Sequence, residues 1–392
     1  MKPVFLLSLL VLAAPAAPAH AADDAAAKCA RAAALALPKT TVEARLVAHG
    51  TFEGPPAPFS EVDISALYKA LPTFCRVSAV AAPSPDSQIK IEVWLPAEGW
   101  NGRLIALGNG GFAGQIDFMN LSMALSKGYA ATATDAGHTG SPIDATWAPG
   151  HPEKVVDFGH RAIHEMTRVA KDAVRAHYGA PATKAYFDGC SDGGREALME
   201  AQRYPEDYDG ILAGAPAAHW TALLTTGVVN TRAVTLDPAS FIPPGKFDAI
   251  AAAVNAACDA ADGVKDGLLL NPGRCAFDPA TIQCQGAEAS TCLTAPQVTA
   301  LKTIYTGPHD AKGAPIYPGY PPGAELGPGG WARWITGPQP KNGLMAFFGI
   351  NYFTHMVYGK ADWDYRTFDL EQGYRDAVER TATVLDATDP DL

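Results

Sequence analysis

The stretch YFDGCSDGGREALMEAQRYP, residues 186–205, decides how the rest of the chain reads. It predicts a strand, a tight turn built around Ser191, and a helix. Gly189-x-Ser191-x-Gly193 matches the pattern of a nucleophile elbow. Such a turn lifts a serine hydroxyl clear of a sheet, and the small flanking residues let neighbouring backbone pass close by. The helix that starts near Gly193 points unpaired N–H groups and the positive end of its dipole at any developing anion. The Asp192 N–H, directly after the serine, is then a candidate oxyanion donor. So short a motif also arises by chance, so its weight rests on the elements around it.

Those elements agree with it. Upstream, IKIEVWLP from Ile89 alternates and is rich in β-branched residues, which predicts a strand. RLIALGNGGF is a second strand running into a glycine cluster. DFMNLSMALSKG has helical spacing and stops at Gly128, and YAATATD is a further strand. In HRAIHEMTRVAKDAVRAHYG, residues Ile163, Met166, Val169, Ala170, Ala173 and Val174 share one helical face, and the helix ends at Gly179. KAYFDG, the elbow and its helix, and the strand DGILAGAP follow. Strands alternating with helices of this length predict a mostly parallel sheet covered on both faces. Residues from about 86 to 216 therefore read as the first part of an α/β-hydrolase core. The glycines after the second strand, Gly111 with Gly110 beside it, are candidates for the second oxyanion donor.

The chain has 392 residues, 48% of them hydrophobic and 18% charged, with a formal net charge of −11. That balance permits a large core and argues against nucleic acid or an anionic membrane surface as partner. Lys2, the apolar run VFLLSLLVLAA and AHA at residues 19–21 predict a signal peptide over 1–21, cleaved before Ala22. A buried N-terminal helix is the competing reading. The run is too short to span a bilayer, so the expectation is a secreted or periplasmic protein. Seven cysteines suit an oxidising compartment, and the odd count leaves one without a partner in the chain.

After Ala218 the alternation stops. Residues 219–385 are rich in Pro, Gly and aromatics, hold four cysteines, and predict an inserted lid, with 386–392 turning back to the core. Within it, CDAADGVKDGLL places Asp259, Asp262 and Asp266 inside eight residues, with two Asp-Gly turns. Carboxylates so close repel unless neutralised, and calcium, a hard cation taking six to eight oxygens, does this well. The carbonyls of Val264 and Leu268 would add donors, and a solvated acidic turn is the alternative. A serine nucleophile in this fold needs Asp or Glu and then His later in the chain. The later histidines are His219, His309 and His355, and none follows a late core strand.

With these residues in hand, the chain resembles the tannase/feruloyl esterase family of α/β-hydrolases, which includes mono(2-hydroxyethyl) terephthalate hydrolase. GCSDGGREALMEAQRYPEDYDGILAGAPA is similar to the family's serine signature and CDAADGVKDG to its calcium loop. CLTAPQVTALKTIY and NYFTHMVYGKADWDYRTFD are similar to its lid landmarks. The resemblance implies Ser191 as nucleophile, Asp192 with Gly110 and Gly111 as the oxyanion hole, and structural calcium on Asp259, Asp262, Val264, Asp266 and Leu268. It implies disulfides Cys29–Cys75, Cys258–Cys275 and Cys284–Cys292, with Cys190 unpaired. In the family the acid lies in a motif like HGWAD after the lid, and the base in a His-Cys pair near the C-terminus. Neither motif is in this sequence, so the resemblance places both beyond Leu392 and the hydrolase core as written lacks its last strands. Two readings stand: an esterase acting on small aryl esters whose acid and base lie further on, or a non-catalytic truncated chain or binding module that keeps the lid and calcium site. Trp331, Trp334, Phe347, Phe348, Tyr352 and Phe353 are candidates for an aryl pocket, with ordinary lid core as the alternative.

Overall fold

The computed structural model describes residues 19–56 and 63–391. Most of the expected signal peptide, residues 1–18, lies outside them. The expected cleavage point falls within helix α1 (Ala19–Ala33). No helix among the described residues is long and apolar enough to cross a membrane.

One seven-stranded sheet organises the chain: β1 (Thr40–Val47), β2 (Phe74–Ala81), β3 (Ile89–Pro96), β4 (Arg103–Leu107), β5 (Ala130–Thr134), β6 (Lys184–Cys190) and β7 (Gly210–Gly214). Their spatial order is β1-β2-β3-β5-β4-β6-β7. The expectation of a mostly parallel sheet needs correction. β1 to β3 and β5 pair antiparallel, whereas β5, β4, β6 and β7 run parallel. The difference arises at the N-terminal side, where β1, β2 and β3 form an antiparallel meander that joins β5. β4 and β6 pair through Leu107 and Asp188, which brings the ends of both strands, and the loops that follow, side by side.

Helices cover the two faces unequally. On one face α2 (Phe118–Ser126), started by the Asp117 side chain accepting from Asn120 N–H, packs over Trp94, Phe74 and Phe52. On the other, α3 (Ala162–Tyr178) buries Ile163, Met166, Val169, Ala170, Ala173 and Val174, the face its spacing predicts. It stops at Gly179, whose φ of 78° is left-handed. A π-helical turn at Asp157–Arg161 precedes it. α4 (Asp192–Arg203) follows the elbow directly.

Beyond Gly214 the described residues form no further strand. They build α5 (Trp220–Thr235), α6 (Phe247–Cys258), α7 (Ala295–Thr306), α8 (Leu344–Asn351) and α9 (Leu370–Ala377), with short turns between. α7 starts on a capping box, Thr294 with Gln297. The two ends of this helical segment meet: Ala387 N–H donates to Ala218 O at 2.8 Å, and Asp386 accepts from the Thr221 N–H and hydroxyl. Disulfides join Cys29 to Cys75, Cys258 to Cys275 and Cys284 to Cys292, while Cys190 is free and exposed.

Candidate active site

Ser191 sits between the end of β6 and the first residue of α4, with φ 64° and ψ −116°. A non-glycine residue at positive φ outside the left-handed helical well is strained, and such strain persists only where surrounding structure over-determines it. Three backbone hydrogen bonds do that here. Ser191 N–H donates to Gly214 O, and Ser191 O accepts from Ala217 and Arg195 N–H. The glycines are needed for contact. A Cβ on Gly189 would lie 2.1 Å from Gly193 O, and one on Gly193 would lie 2.8 Å from Asn109 O.

The loop Gly108–Phe112 lies against the start of α4. Gly108 N–H donates to Asp188 O, and Gly193 N–H donates to Asn109 O. Asn109 in turn donates its N–H to Glu196 Oε2 at 2.8 Å and its side-chain amide to Thr134 O and Gln115 O. Gly111 adopts φ 60°, and a Cβ there would lie 2.2 Å from Pro142 O. The N–H groups of Asp192, Gly110 and Gly111 have no acceptor among the described residues. A cleft of about 380 Å³ opens beside Gly110 and the end of β6, lined among others by Asn109, Gly110, Asp117, Asp188 and Cys190. The glycine loop and the start of α4 are thus held side by side.

Beneath the elbow the protein is polar and closed to water. Asp192, Arg195, Glu196 and Glu200 are all buried. Arg195 pairs with Asp192 at 2.8 Å, donates to the carbonyls of Phe158 and Gly159 in the π-helical turn, and faces the rings of Phe158 and Trp220. Burial, with the Asp192 charge added, pushes the Glu196 carboxyl up to about 8. Burial, with Asp207 and Glu196 nearby, pushes Glu200 up to about 9. His138, stacked on Trp147, bonds Phe112 O through Nε2, and burial lowers it to about 4. It therefore supports the glycine loop as a neutral imidazole.

Among the described residues no imidazole hydrogen-bonds Ser191. His219 caps α5 and approaches Asp386 at 3.6 Å and the Tyr374 hydroxyl at 3.5 Å. His309 bonds Gly307 O within a turn, and burial lowers His355 in its π-helical turn. His160 and His164 pair with Tyr204 and Asp207.

Of the six candidate pocket aromatics, Trp331, Phe348, Tyr352 and Phe353 are buried core. Tyr352 bonds Thr381, and Phe353 packs on Trp363 and Phe368. Phe348 stands apart. It meets Phe112 edge-on at 5.6 Å, and a Cβ on Gly111 would lie 3.2 Å from its ring. Trp334 lies 6.5 Å from Phe348, and none of the six lines the cleft beside Gly110.

The acidic loop is exposed. Asp259 accepts from the N–H groups of Asp266 and Gly267, Asp262 from Val264 and Leu270, and Asp266 from Leu268. Its oxygens suit a hard cation in kind. As folded, the three carboxylates face backbone amides. No group of three or more His, Cys, Asp or Glu among the described residues is arranged to hold a metal ion.

The sheet order and the strained serine between strand and helix define a mixed α/β architecture with a nucleophile-elbow turn. Residues 75–392 match the model of the family described as tannase and feruloyl esterase, and the chain belongs to that family. It is 39% identical over 380 residues to an uncharacterized esterase of Xanthomonas campestris pv. campestris, covering 94% of this chain and 65% of the relative. It is 31% identical to the probable feruloyl esterase B-1 of Aspergillus terreus, covering 76% of this chain and 55% of that protein. The fold is similar to the crystal structure of an esterase from Aspergillus oryzae, with TM-score 0.81 and 26% identity over 93% of this chain and 70% of that one. The chain thus spans between about half and two thirds of the length of these curated relatives.

Proposed function

We propose that the protein hydrolyses carboxylic esters of small aromatic acids, of the feruloyl or tannin type, through an acyl-enzyme on Ser191. The strained backbone at Ser191, in the turn between β6 and α4 beside the glycine loop, carries this reading. The Ser191 hydroxyl attacks the ester carbonyl. The oxyanion is received by Asp192 N–H and by the Gly110 and Gly111 amides. The alcohol leaves, and water then releases the acid. The kinship with a feruloyl esterase supports the aryl acyl group.

The general base and its acid belong, in this reading, to the part of the whole protein that lies outside this chain, beyond Leu392. Two observations support it: no described imidazole meets Ser191, and the relatives are longer. Exposed Cys190, next to the nucleophile, is the place for a cysteine from that part to tie the base down. Residues 22–392 by themselves would turn over such esters far more slowly, since a serine without its base is a weak nucleophile.

Residues 219–385 act as a lid inserted into the hydrolase core. The meeting of Ala218 with Ala387 supports this. Asp259, Asp262 and Asp266, with the Val264 and Leu268 carbonyls, would hold a structural calcium ion, which would neutralise the three carboxylates. The three disulfides fit an exported protein.

The test uses the whole protein with methyl ferulate and methyl gallate. Ser191→Ala is expected to lower kcat by at least about a thousandfold. Hydrolysis at the parent rate by that variant removes Ser191 from the reaction.

A further inference from the structure

The two halves of the proposed oxyanion hole come from distant parts of the sequence. The Asp192 N–H belongs to α4, and the Gly110 and Gly111 amides belong to the loop after β4. Their relative position decides whether both reach the same oxygen. Asn109 connects them. Its peptide is gripped on both sides by α4: the carbonyl accepts from Gly193 N–H at 2.8 Å, and the N–H donates to Glu196 Oε2 at 2.8 Å. Glu196 lies four residues after Asp192, so the two share one helical face a turn apart.

We propose that Glu196 is a positioning residue for ester hydrolysis, its carboxyl holding the Asn109 peptide so that the Gly110 and Gly111 amides stay in register with the Asp192 N–H. This rests on the reading of Ser191 and its donors given above. A buried carboxyl is an expensive way to fill space, and a leucine would serve a merely apolar position better. Glu196 has no exposure at all, and its Oε1 has no partner. The bond to Asn109 is the one polar contact that its burial secures. Without an acceptor there, the Asn109 N–H is left unpaired and the loop is tied to α4 through Gly193 alone. Burial pushes the carboxyl up toward its neutral form, and an amide oxygen can take over its role as acceptor.

Glu196→Gln keeps an acceptor for Asn109, and Glu196→Met has comparable bulk and none. Both are made in the whole protein, with reactive serine counted by titration with a fluorophosphonate. Glu196→Met is expected to lower kcat per titrated serine about 10- to 100-fold, with KM within about twofold. Glu196→Gln is expected to recover most of the loss. A purely structural role would lower the number of titratable serines instead. Amide hydrogen exchange adds a readout independent of turnover: Asn109 is expected to be protected in the parent and in Glu196→Gln, and exposed in Glu196→Met. Parent-like kcat per serine in Glu196→Met, or a Glu196→Gln as slow as Glu196→Met, overturns the proposal. Should Glu196→Met not fold, rapid exchange of the Asn109 amide in the parent overturns it as well. Ser191→Ala is run beside these. Its activity would sink the reading of the site itself, whereas an inactive Ser191→Ala with an indifferent Glu196→Met sinks this inference alone.

Discussion

Asp192, Glu196 and Glu200 fall four residues apart along one face of α4, and all three are buried. Three carboxylates cannot stay charged together in so dry a place. Arg195 neutralises the first, and burial leaves the other two holding protons. This has a consequence for stability. Glu200 is raised from 4.5 to about 9, so the folded state binds a proton that the unfolded chain gives up above about pH 4.5. Its contribution is complete below the unfolded value and is lost as pH rises through the folded one. Each pH unit in that window removes up to about 1.4 kcal/mol. Glu200→Gln, which cannot ionise, is expected to gain in melting temperature relative to the parent between about pH 5 and pH 9. Parallel melting curves across that range would rule the effect out. The turn at Ser191 was legible from its glycines together with the strand before and the helix after it, because an elbow is a local pattern. The Asn109–Glu196 bond was not, because its partners stand 87 residues apart and nothing at either position announces the other.

Every strand and helix expected between Ile89 and Gly214 is present, since each carries its own periodicity and a glycine or cap at its end. β1 and β2 were not anticipated. β1 alternates half-buried and exposed residues along TTVEARLV, a weak signal with one apolar side, and β2 places Arg76 in an ion pair with the buried Glu92. Such pairs hide a strand from a hydrophobicity pattern, and the sheet is consequently more antiparallel than expected. The π-helical turn before α3 was equally silent, although its carbonyls receive Arg195. The acidic loop carries the element-scale prediction. It is joined to the C-terminal end of α6 through the Cys258–Cys275 disulfide, and Val264, Leu268 and Leu270 are exposed around it. A calcium ion binding only the folded loop stabilises by mass action, by about 2.7 kcal/mol at a hundredfold excess over Kd. Chelator is expected to lower the melting temperature, and calcium, more than magnesium, to restore it. Identical melting curves with and without calcium would exclude a structural ion.

At the scale of the molecule, the sheet delivers two loops to one edge of the serine, and the helical segment after β7 brings Phe348 against them. One apolar cluster runs from α3 under the sheet through Trp220 to Leu301 and Phe353, so the hydrolase strands and the helices beyond them share packing. Phe348 reaches the glycine loop through that packing, across more than 200 residues of sequence, which is why six aromatics looked equivalent until the fold placed them. The central claim is that this whole arrangement serves covalent chemistry at Ser191. The most direct measurement treats the whole protein with a fluorophosphonate, follows the loss of methyl ferulate hydrolysis, and maps the adduct by peptide mass spectrometry. The account predicts one adduct per chain, on Ser191, formed in step with inactivation. An inactivated enzyme labelled at another residue, or hydrolysis that continues with Ser191 fully modified, would contradict it.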